Sequence, residues 1–166
     1  MKTSFLFALI FVLLFDATFA EQPADSARST SVQVQKFDPM RDAKKDLQDA
    51  ISQAKESHKR ILLDVGGDWC IWCHRLDSLL LQNKDLAEYL DKHYVVVKIN
   101  FSPENKNKKF LSRYPKVAGY PHFFVLDSNG KLIHSQNTGV LEYPKNRPIK
   151  GHDKKKVFNF LKKWAT

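Results

Sequence analysis

Two closely spaced cysteines are the residues of this sequence whose type and position most clearly suggest chemistry. Cys70 and Cys73 are its only cysteines, and they lie in the segment DWCIWCH at 68–74. An apolar run that ends in two glycines precedes this segment, a pattern typical of a strand giving way to a helix. A helix N-terminus stabilises a thiolate at Cys70, and two intervening residues place Cys73 one helical turn away. The spacing therefore predicts thiol–disulfide exchange, with Cys70 as the exposed attacking thiol and Cys73 as the buried resolving thiol.

Other chemistries use the same residue types. Structural zinc normally takes four ligands, whereas this chain offers one cysteine pair and scattered histidines, so we expect no metal site. Cys70, Cys73 and His74 also match the Cys-x-x-Cys-His signature of c-type haem attachment, which would make the protein an electron carrier. A third alternative is an inert disulfide in a binding or chaperone-like module, although so small a loop stabilises a fold little. On spacing alone, haem attachment and the inert disulfide remain alternatives to redox catalysis.

The composition is that of one folded domain. A chain of 166 residues with 43% hydrophobic and 12% aromatic residues can bury a core, which excludes a disordered or collagen-like protein. Because two cysteines cannot form a disulfide framework, the core must supply the stability and the cysteine pair is free for chemistry.

The first 20 residues have the features of a signal peptide. Lys2 precedes an apolar run over 5–15, and the sequence TFA at 18–20 places small residues at the −3 and −1 positions of a cleavage site. The apolar run is shorter than the ~20 residues that cross a bilayer. We therefore expect an exported protein, periplasmic or otherwise secreted. Its parts would be a signal peptide (1–20), a flexible polar lead-in (21–36) and one domain (37–166).

The pattern of apolar residues predicts alternating helices and strands. Leu47, Ala50 and Ala54 share one face of a helix, and the apolar runs at 61–65 and 95–99 are typical of strands covered on both faces. The expected elements are, in order, a helix from Asp38-Pro39, a strand at 61–65, helices from Cys70 and over 85–93, a strand at 95–99, a helix over 105–114, a hairpin of 122–126 and 131–136, a long loop at 137–152 and a helix over 153–165. This order predicts an α/β fold with a mixed central β-sheet, helices on both faces and an extra N-terminal helix.

The segment from the first strand to the cysteine pair resembles the strand and active-site turn of thioredoxin-like proteins. It reads ILLDVGGDWCIWC over 61–73, and the resemblance extends from about Asp42 to Ala165. Asp64, six residues before the first cysteine, matches the buried acid of this family, and Lys98 in the next strand matches its lysine partner. The sequence GYP at 119–121 falls where the family has its cis-proline. The resemblance implies a thioredoxin fold.

The cysteine motif is most similar to those of exported thioredoxin-like proteins related to the reductase domains of bacterial thiol:disulfide interchange proteins. Two features depart from thioredoxin itself: Ile71-Trp72 replaces its Gly-Pro pair, and the 137–152 loop is longer than expected. The resemblance implies a redox-active disulfide between Cys70 and Cys73 that needs no cofactor.

The resemblance also assigns roles to residues besides the cysteines. Asp64 lies among apolar strand residues, where an unpaired carboxylate is costly, and we expect it to pair with Lys98. As a catalytic residue, Asp64 would accept the Cys73 proton through a water molecule; the alternative is a purely structural pair with Lys98. The expected catalytic set is Cys70, Cys73, Asp64 and Lys98.

Four residues near the cysteines are expected to contact substrate. Trp69 would pack beside the motif as a rigid wall. Trp72 would be exposed as an apolar contact for partner proteins, the alternative being a place in the core. A cis Pro121 opposite the first cysteine would leave the Tyr120 backbone free to pair with an extended substrate segment. His74 would either stabilise the thiolate when protonated or simply be solvated.

Positive charge is concentrated in two clusters. The formal net charge is +9, and the basic residues gather in two stretches: Lys106, Lys108, Lys109, Arg113 and Lys116 in the first, and Lys145, Arg147, Lys150, Lys154, Lys155, Lys156, Lys162 and Lys163 in the second. Such clusters predict docking to an acidic partner or an anionic membrane surface, or else solvated faces. We expect no nucleic-acid binding, because the chain is predicted to be exported and carries no recognition motif.

Together these features predict an exported, monomeric thiol:disulfide oxidoreductase that reduces the disulfides of exported proteins and depends on an unidentified redox partner. Negative charge at Asp64 opposes the extreme thiolate stabilisation that characterises strong oxidants, which favours a reductant. A disulfide oxidase or isomerase of the same fold is the alternative.

Overall fold

The computed structural model describes residues 36–165. The predicted signal peptide (1–20) and the predicted lead-in (21–36), apart from Lys36, lie outside the described residues. The described chain forms, in order, α1 (Ala43–Ser57), β1 (Arg60–Gly66), α2 (Ile71–Gln82), α3 (Lys84–His93), β2 (Tyr94–Asn100), α4 (Lys108–Leu111), β3 (His122–Leu126), β4 (Leu132–Asn137), a 3₁₀ helix (Thr138–Leu141) and α5 (Lys154–Trp164).

The strands form one mixed sheet of four strands in the order β2-β1-β3-β4. β1 runs parallel to β2 and antiparallel to β3, and β4 is antiparallel to β3. The two apolar runs that predicted buried strands therefore lie side by side, with β1 in the middle of the sheet. The predicted mixed sheet is confirmed.

Helices cover both faces of the sheet. Alternate residues of a strand point to opposite faces. Ile61, Leu63 and Val65 of β1 pack in one apolar cluster with α1 and α4, whereas Leu62 packs in a second cluster with side chains of α2, α3 and α5. Asp64 follows the alternation of Leu62 and points to the side of the sheet that α2 covers. This places the buried acid on the same side as the cysteine pair.

The first helix begins later than the sequence predicted. Its N-cap is Asp42, whose carboxylate accepts hydrogen bonds from the backbone N–H groups of Lys44 (2.8 Å) and Lys45 (3.2 Å). Asp38, the predicted cap, instead accepts from the Met40 N–H (2.8 Å) in a separate turn. The prediction is wrong because both aspartates offer the same capping chemistry, and the chain uses the earlier one to close a turn.

The helix predicted over 105–114 is also wrong in extent, since only Lys108–Leu111 is helical. Asparagine side chains hold the preceding residues in a loop. Asn107 donates to the backbone carbonyl of Asn100 (2.8 Å), and Asn100 donates to that of Asn105 (2.8 Å). Such side-chain bonds to the backbone compete with the hydrogen bonds of a helix.

The predicted hairpin is confirmed. Its turn lies between β3 and β4, where the Asp127 carboxylate accepts from the N–H groups of Asn129 and Lys131 (2.9 Å each). Gly130 has a φ of 83°, a conformation that favours glycine.

The loop predicted at 137–152 has structure of its own. It opens with the 3₁₀ helix, and Glu142 and His152 then form an antiparallel bridge. The bridge closes residues 142–152 into a loop, called here the basic loop because Lys145, Arg147 and Lys150 lie on it.

Candidate active site

A disulfide joins Cys70 and Cys73 at the N-terminus of α2, with their Cα atoms 5.2 Å apart. Cys70 is the N-cap residue, and its Sγ accepts a hydrogen bond from the Cys73 N–H (3.2 Å). The helix therefore begins where the sequence predicted. The Cys73 N–H in the first turn of the helix thus faces the sulfur that would become the thiolate, at the positive end of the helix dipole.

Both cysteines are buried. Cys73 is 1% exposed, as predicted for the resolving cysteine, but Cys70 is only 4% exposed, so its predicted exposure is wrong. The pair forms a small apolar cluster with buried Phe37, against which Trp72 and Tyr120 pack. Phe37 comes from the N-terminal segment and reaches the site only through tertiary folding, so the cysteine motif gave no sign of this cover.

Asp64 and Lys98 form the predicted pair below the disulfide. They face one another in the register of β1 and β2, and Lys98 Nζ donates to Asp64 Oδ2 at 2.5 Å. A second carboxylate, Asp77 of α2, also accepts a hydrogen bond from Lys98 Nζ. Asp77 was missed by the sequence analysis, although its position one turn after Cys73 on α2 was a usable signal.

Asp64 and Lys98 are buried and Asp77 is partly buried, and this burial shifts the pKa values of Asp77 and Lys98. Burial raises the pKa of Asp77, and the nearby charge of Asp64 raises it further against the opposing effect of Lys98. Burial alone would lower the pKa of Lys98, but Asp64 and Asp77 outweigh it and the pKa is raised. Lys98 therefore stays charged at neutral pH. Asp64 Oδ1 is buried and has no hydrogen-bond partner among residues 36–165.

Three aromatic rings form a wall beside the disulfide. The Trp69 and Tyr120 rings meet edge to face at 5.5 Å between centroids, and Tyr120 stacks on Phe101 at 4.8 Å. Trp69 Nε1 donates to the backbone carbonyl of Phe101 (2.7 Å), which fixes the indole although the residue is 56% exposed. Trp69 is thus held beside the motif and presents an open apolar surface.

Trp72 was predicted to be exposed, but its side chain is half-buried. Its ring meets His152 edge to face at 6.1 Å, and the Arg75 guanidinium lies 4.8 Å from its centroid. Burial lowers the pKa of His152 to about 4, so this imidazole is neutral at pH 7. The contact brings the end of the basic loop next to the active site.

The Tyr120–Pro121 peptide bond is cis, as the family resemblance implied. The Pro121 carbonyl accepts a hydrogen bond from Thr138 Oγ1 (2.5 Å) at the start of the 3₁₀ helix. Tyr120 packs against the cysteine cluster. His74 is exposed, and its Nε2 lies 2.7 Å from the Asp68 carbonyl oxygen.

The first basic cluster borders a groove next to the aromatic wall. The groove has a volume of about 400 Å³, and Phe101 and Tyr120 line its end nearest the disulfide. Lys106, Lys108 and Lys116 also line it. The second basic cluster lies on the basic loop and along α5.

A disulfide at the start of a helix, a buried acid–lysine pair and a cis-proline on a mixed sheet define a thioredoxin-like domain. Residues 47–147 match the family model described as thioredoxin-like domain, and the chain belongs to this family. The sequence-based resemblance is thereby confirmed.

The names of two similar proteins refer to disulfide chemistry. The chain is 30% identical over 94 residues to the disulfide bond reductase DsbH of Chlamydia pneumoniae, covering 51% of this chain and 56% of that protein. It is 24% identical over 119 residues to the thiol:disulfide interchange protein DsbD of Vibrio vulnificus, covering 71% of this chain and 20% of that protein. The chain thus spans about half of one relative and a fifth of the other.

Solved structures agree with these matches. The crystal structure of a disulphide isomerase from Xylella fastidiosa superimposes with a TM-score of 0.64 at 26% identity, covering 80% of this chain and 99% of that one. The oxidised C-terminal domain of DsbD from Neisseria meningitidis has the same fold, with a TM-score of 0.53 at 18% identity over 78% of this chain and 99% of that one. None of the helices in residues 36–165 has both the length and the apolar character to cross a membrane.

Proposed function

We propose that this protein is an exported thiol:disulfide oxidoreductase that reduces the disulfides of exported proteins. The observation that carries the proposal is the Cys70–Cys73 disulfide at the N-terminus of α2, above the buried cluster of Asp64, Lys98 and Asp77. The names of the relatives support disulfide chemistry. The apolar run and the cleavage-site pattern in the first 20 residues support export.

The reaction begins from the dithiol. The Cys70 thiolate attacks one sulfur of a substrate disulfide, which forms a mixed disulfide and releases the first substrate thiolate, protonated by solvent. Cys73 then loses its proton and attacks the Cys70 sulfur. This breaks the mixed disulfide, releases the second substrate thiol and leaves the Cys70–Cys73 disulfide. Two electrons pass to the substrate, and a dithiol redox partner restores the starting state.

Asp64 is the proposed acceptor of the Cys73 proton. It is buried on the α2 side of the sheet, and its Oδ1 has no partner within residues 36–165. Lys98, which donates to both carboxylates, holds Asp64 by Oδ2 and leaves Oδ1 for the proton. The transfer runs through one water molecule, as general-base catalysis permits.

The charges under the disulfide support electron flow from this protein to its substrates. Two carboxylates and one ammonium group leave net negative charge under the disulfide when all are ionised, which opposes strong stabilisation of the Cys70 thiolate. Equilibration of the protein with glutathione buffers tests this. A reductase is expected to have a potential nearer about −270 mV, and a value more oxidising than about −180 mV would identify an oxidase or isomerase instead.

The aromatic wall and the cis-proline loop form the proposed substrate contact. Trp69 offers an exposed ring, Trp72 a partly exposed one, and the backbone at Tyr120 and Pro121 lies next to the cysteine cluster. An extended substrate segment pairs there with the Tyr120 backbone.

Acidic substrate segments fit the groove beside this wall. Its apolar floor adjoins Tyr120, and lysines lie along it, so opposite charge would raise the association rate and make it salt-dependent. Two peptide disulfides that differ only in acidic or neutral flanks provide the test. At low salt the acidic peptide should have the higher kcat/KM, and the combined K106A and K116A changes should abolish the difference, whereas K55A on α1 should not.

Two results would contradict this substrate preference. Equal kcat/KM for the two peptides would show that the lysines are merely solvated. The second result is binding to vesicles of anionic phospholipid that the same lysine variants lose, while the protein shows no preference between the two peptides. This result would assign the cluster to a membrane surface.

Trapping tests the proposed activity as a whole. With C73A, mixed disulfides through Cys70 should accumulate in the exported fraction, and reducing agents should release the substrates. The matched C70A variant should trap far less. A covalent haem absorption band in the purified protein would instead support the electron-carrier alternative, and failure to reduce insulin or to trap any protein would support an inert disulfide.

A further inference from the structure

Phe37 occupies the buried side of the cysteine pair. It is 2% exposed and belongs to the same apolar cluster as Cys70 and Cys73. The point where a Cβ on Gly66 would lie is 2.5 Å from Cys73 Sγ and 2.8 Å from Phe37 Cζ, so the sulfur and the ring meet over this glycine. Phe37 thus packs beside the resolving cysteine at the end of β1.

The same ring also contacts the charged cluster. Lys98 Nζ lies 4.5 Å from the centroid of Phe37, within the range of a cation–π interaction. Phe37 therefore packs against both Cys73 and Lys98. Without the ring, bulk water would reach both groups.

A structured turn holds Phe37 in place. The Asp38 N–H donates to the Lys36 carbonyl (3.0 Å), and the Asp38 carboxylate accepts from the Met40 N–H (2.8 Å). Asn105 Nδ2 donates to the Pro39 carbonyl (2.8 Å), which ties the turn to the loop after β2.

We propose that Phe37 is a positioning residue that excludes bulk water from the buried side of Cys73 and thereby directs the Cys73 proton to the neighbouring carboxylate rather than to solvent. The inference rests on the thiol chemistry of the proposed function but not on its direction. An apolar ring next to a thiol disfavours the thiolate, because the charged form loses hydration. Deprotonation of Cys73 then depends on the nearby base.

The titratable groups that surround Cys73 come from several elements. They are Asp64 of β1, Lys98 of β2, His74 and Asp77 of α2, Cys70, and Tyr120 before β3. All of them except Cys70 stay unchanged in the variants below, so a change in the titration of Cys73 reports on water access at Phe37.

The experiment measures Cys73 alkylation by iodoacetamide from pH 6 to 11 in a C70S background, where Cys73 is the single thiol. F37A should move the midpoint of the rate–pH profile down by about one unit, because water enters the vacated space. F37L keeps the space apolar and should leave the midpoint within about 0.3 units of the parent. M40A, on the same turn at a residue 89% exposed, is the matched control and should change nothing.

The midpoint, rather than the rate, decides the outcome. Simple loosening of the site would speed alkylation at every pH without moving the midpoint, and that result would overturn the proposal, as would equal shifts in F37A and F37L. If F37A does not fold by circular dichroism, N105A decides instead, because it loosens the turn without removing the ring. A downward midpoint shift in N105A would support the proposal, and an unshifted midpoint would overturn it. None of these readouts requires a substrate, so failure here is distinguishable from failure of the reductase assignment.

Discussion

At the scale of single residues, the charge beneath the disulfide depends on Lys98. This side chain is buried between Asp64 of the neighbouring strand and Asp77 of α2. A buried carboxylate is tolerated only when it is paired, and one ammonium group here serves two of them. The arrangement holds Asp64 by a hydrogen bond to Lys98 on the α2 side of the sheet.

Replacing Asp64 tests its proposed role as proton acceptor. D64N should slow resolution of the mixed disulfide by about 10–100-fold near pH 6.5, because Cys73 loses its base. The deficit should shrink toward pH 9, where hydroxide removes the thiol proton directly. Rapid-quench kinetics of peptide-disulfide reduction across this range provide the measurement, with D49N on the exposed face of α1 as control. An unchanged pH–rate profile would leave Asp64 with a purely structural role.

Removing Lys98 should destabilise the fold strongly. K98M leaves the buried Asp64 and the partly buried Asp77 without their ammonium partner. Breaking a buried ion pair lowers the free energy of unfolding by about 3–5 kcal/mol. The loss should be larger at pH 8 than at pH 5, because the orphaned carboxyl groups can be protonated at the lower pH. Urea unfolding gives the values. K45M, which breaks the exposed pair with Asp49 (70% and 54% exposed), should leave the free energy of unfolding almost unchanged, because solvent screens this pair. Equal losses in the two variants would contradict this account.

At the scale of elements, the end of β1 and the start of α2 must approach closely for the site to form. Gly66 ends β1, Phe101 donates its N–H to the Gly66 carbonyl (2.6 Å), and the disulfide lies directly over the glycine. The strand thus supplies Asp64, and two residues later it supplies Gly66, where a Cβ would collide with Cys73 Sγ. Gly66 is required for space, and its φ is not in the left-handed region.

Adding a methyl group at Gly66 should disrupt this approach. In G66A the new Cβ would lie within 3 Å of both Cys73 Sγ and Phe37 Cζ, and overpacking of this kind typically lowers the free energy of unfolding by about 1–3 kcal/mol. G119A is the matched control, since nothing lies within 4 Å of its Cβ position and its φ is not positive. Urea unfolding should show a clear loss for G66A and almost none for G119A; the reverse order would refute the close-packing argument.

At the scale of the whole molecule, two histidines are enclosed in the fold. His122 at the start of β3 and His152 at the end of the basic loop are each 3% exposed. Burial, aided by the charge of His134, lowers the pKa of His122 to about 4, and burial alone lowers that of His152 to about 4. Both are therefore neutral in the folded protein at pH 7, and both become protonated more readily once the chain unfolds.

The stability of the protein should consequently fall on mild acidification. A histidine with a depressed folded-state pKa contributes stability that is present above the unfolded value of about 6.5 and is lost as the pH falls toward 4. The two groups together should lower the free energy of unfolding by about 5 kcal/mol over this window. Urea titrations at pH 7, 5.5 and 4.5 measure the slope. A double H122Q and H152Q variant should flatten it, and the exposed H58N change should not. An unchanged slope in the double variant would show that other groups dominate.

Much of the fold and part of the site followed from local patterns. The strands 61–65 and 95–99, the hairpin turn at 127–130 and the helix start at Cys70 were predictable because each depends on side chains close together in the chain. A buried carboxylate in a strand needs a partner, and the resemblance to thioredoxin-like proteins implied that the partner of Asp64 is Lys98. Helix α1 and the 105–114 segment were misjudged where several Asp or Asn side chains competed for the same backbone groups.

The cover over the site was decided by tertiary structure. Asp77 joins the cluster because α2 packs across β1 and β2, Phe37 because the N-terminal turn returns to the end of β1, and His152 because the basic loop folds back onto Trp72. Each of these contacts joins residues that lie far apart in the chain, so local patterns do not show that they meet. The sequence by itself therefore determined the thiol chemistry and the strand–helix frame that presents it. Which groups bury the thiols, and so control their protons, was determined only when the sheet, the helices and the N-terminal turn packed together.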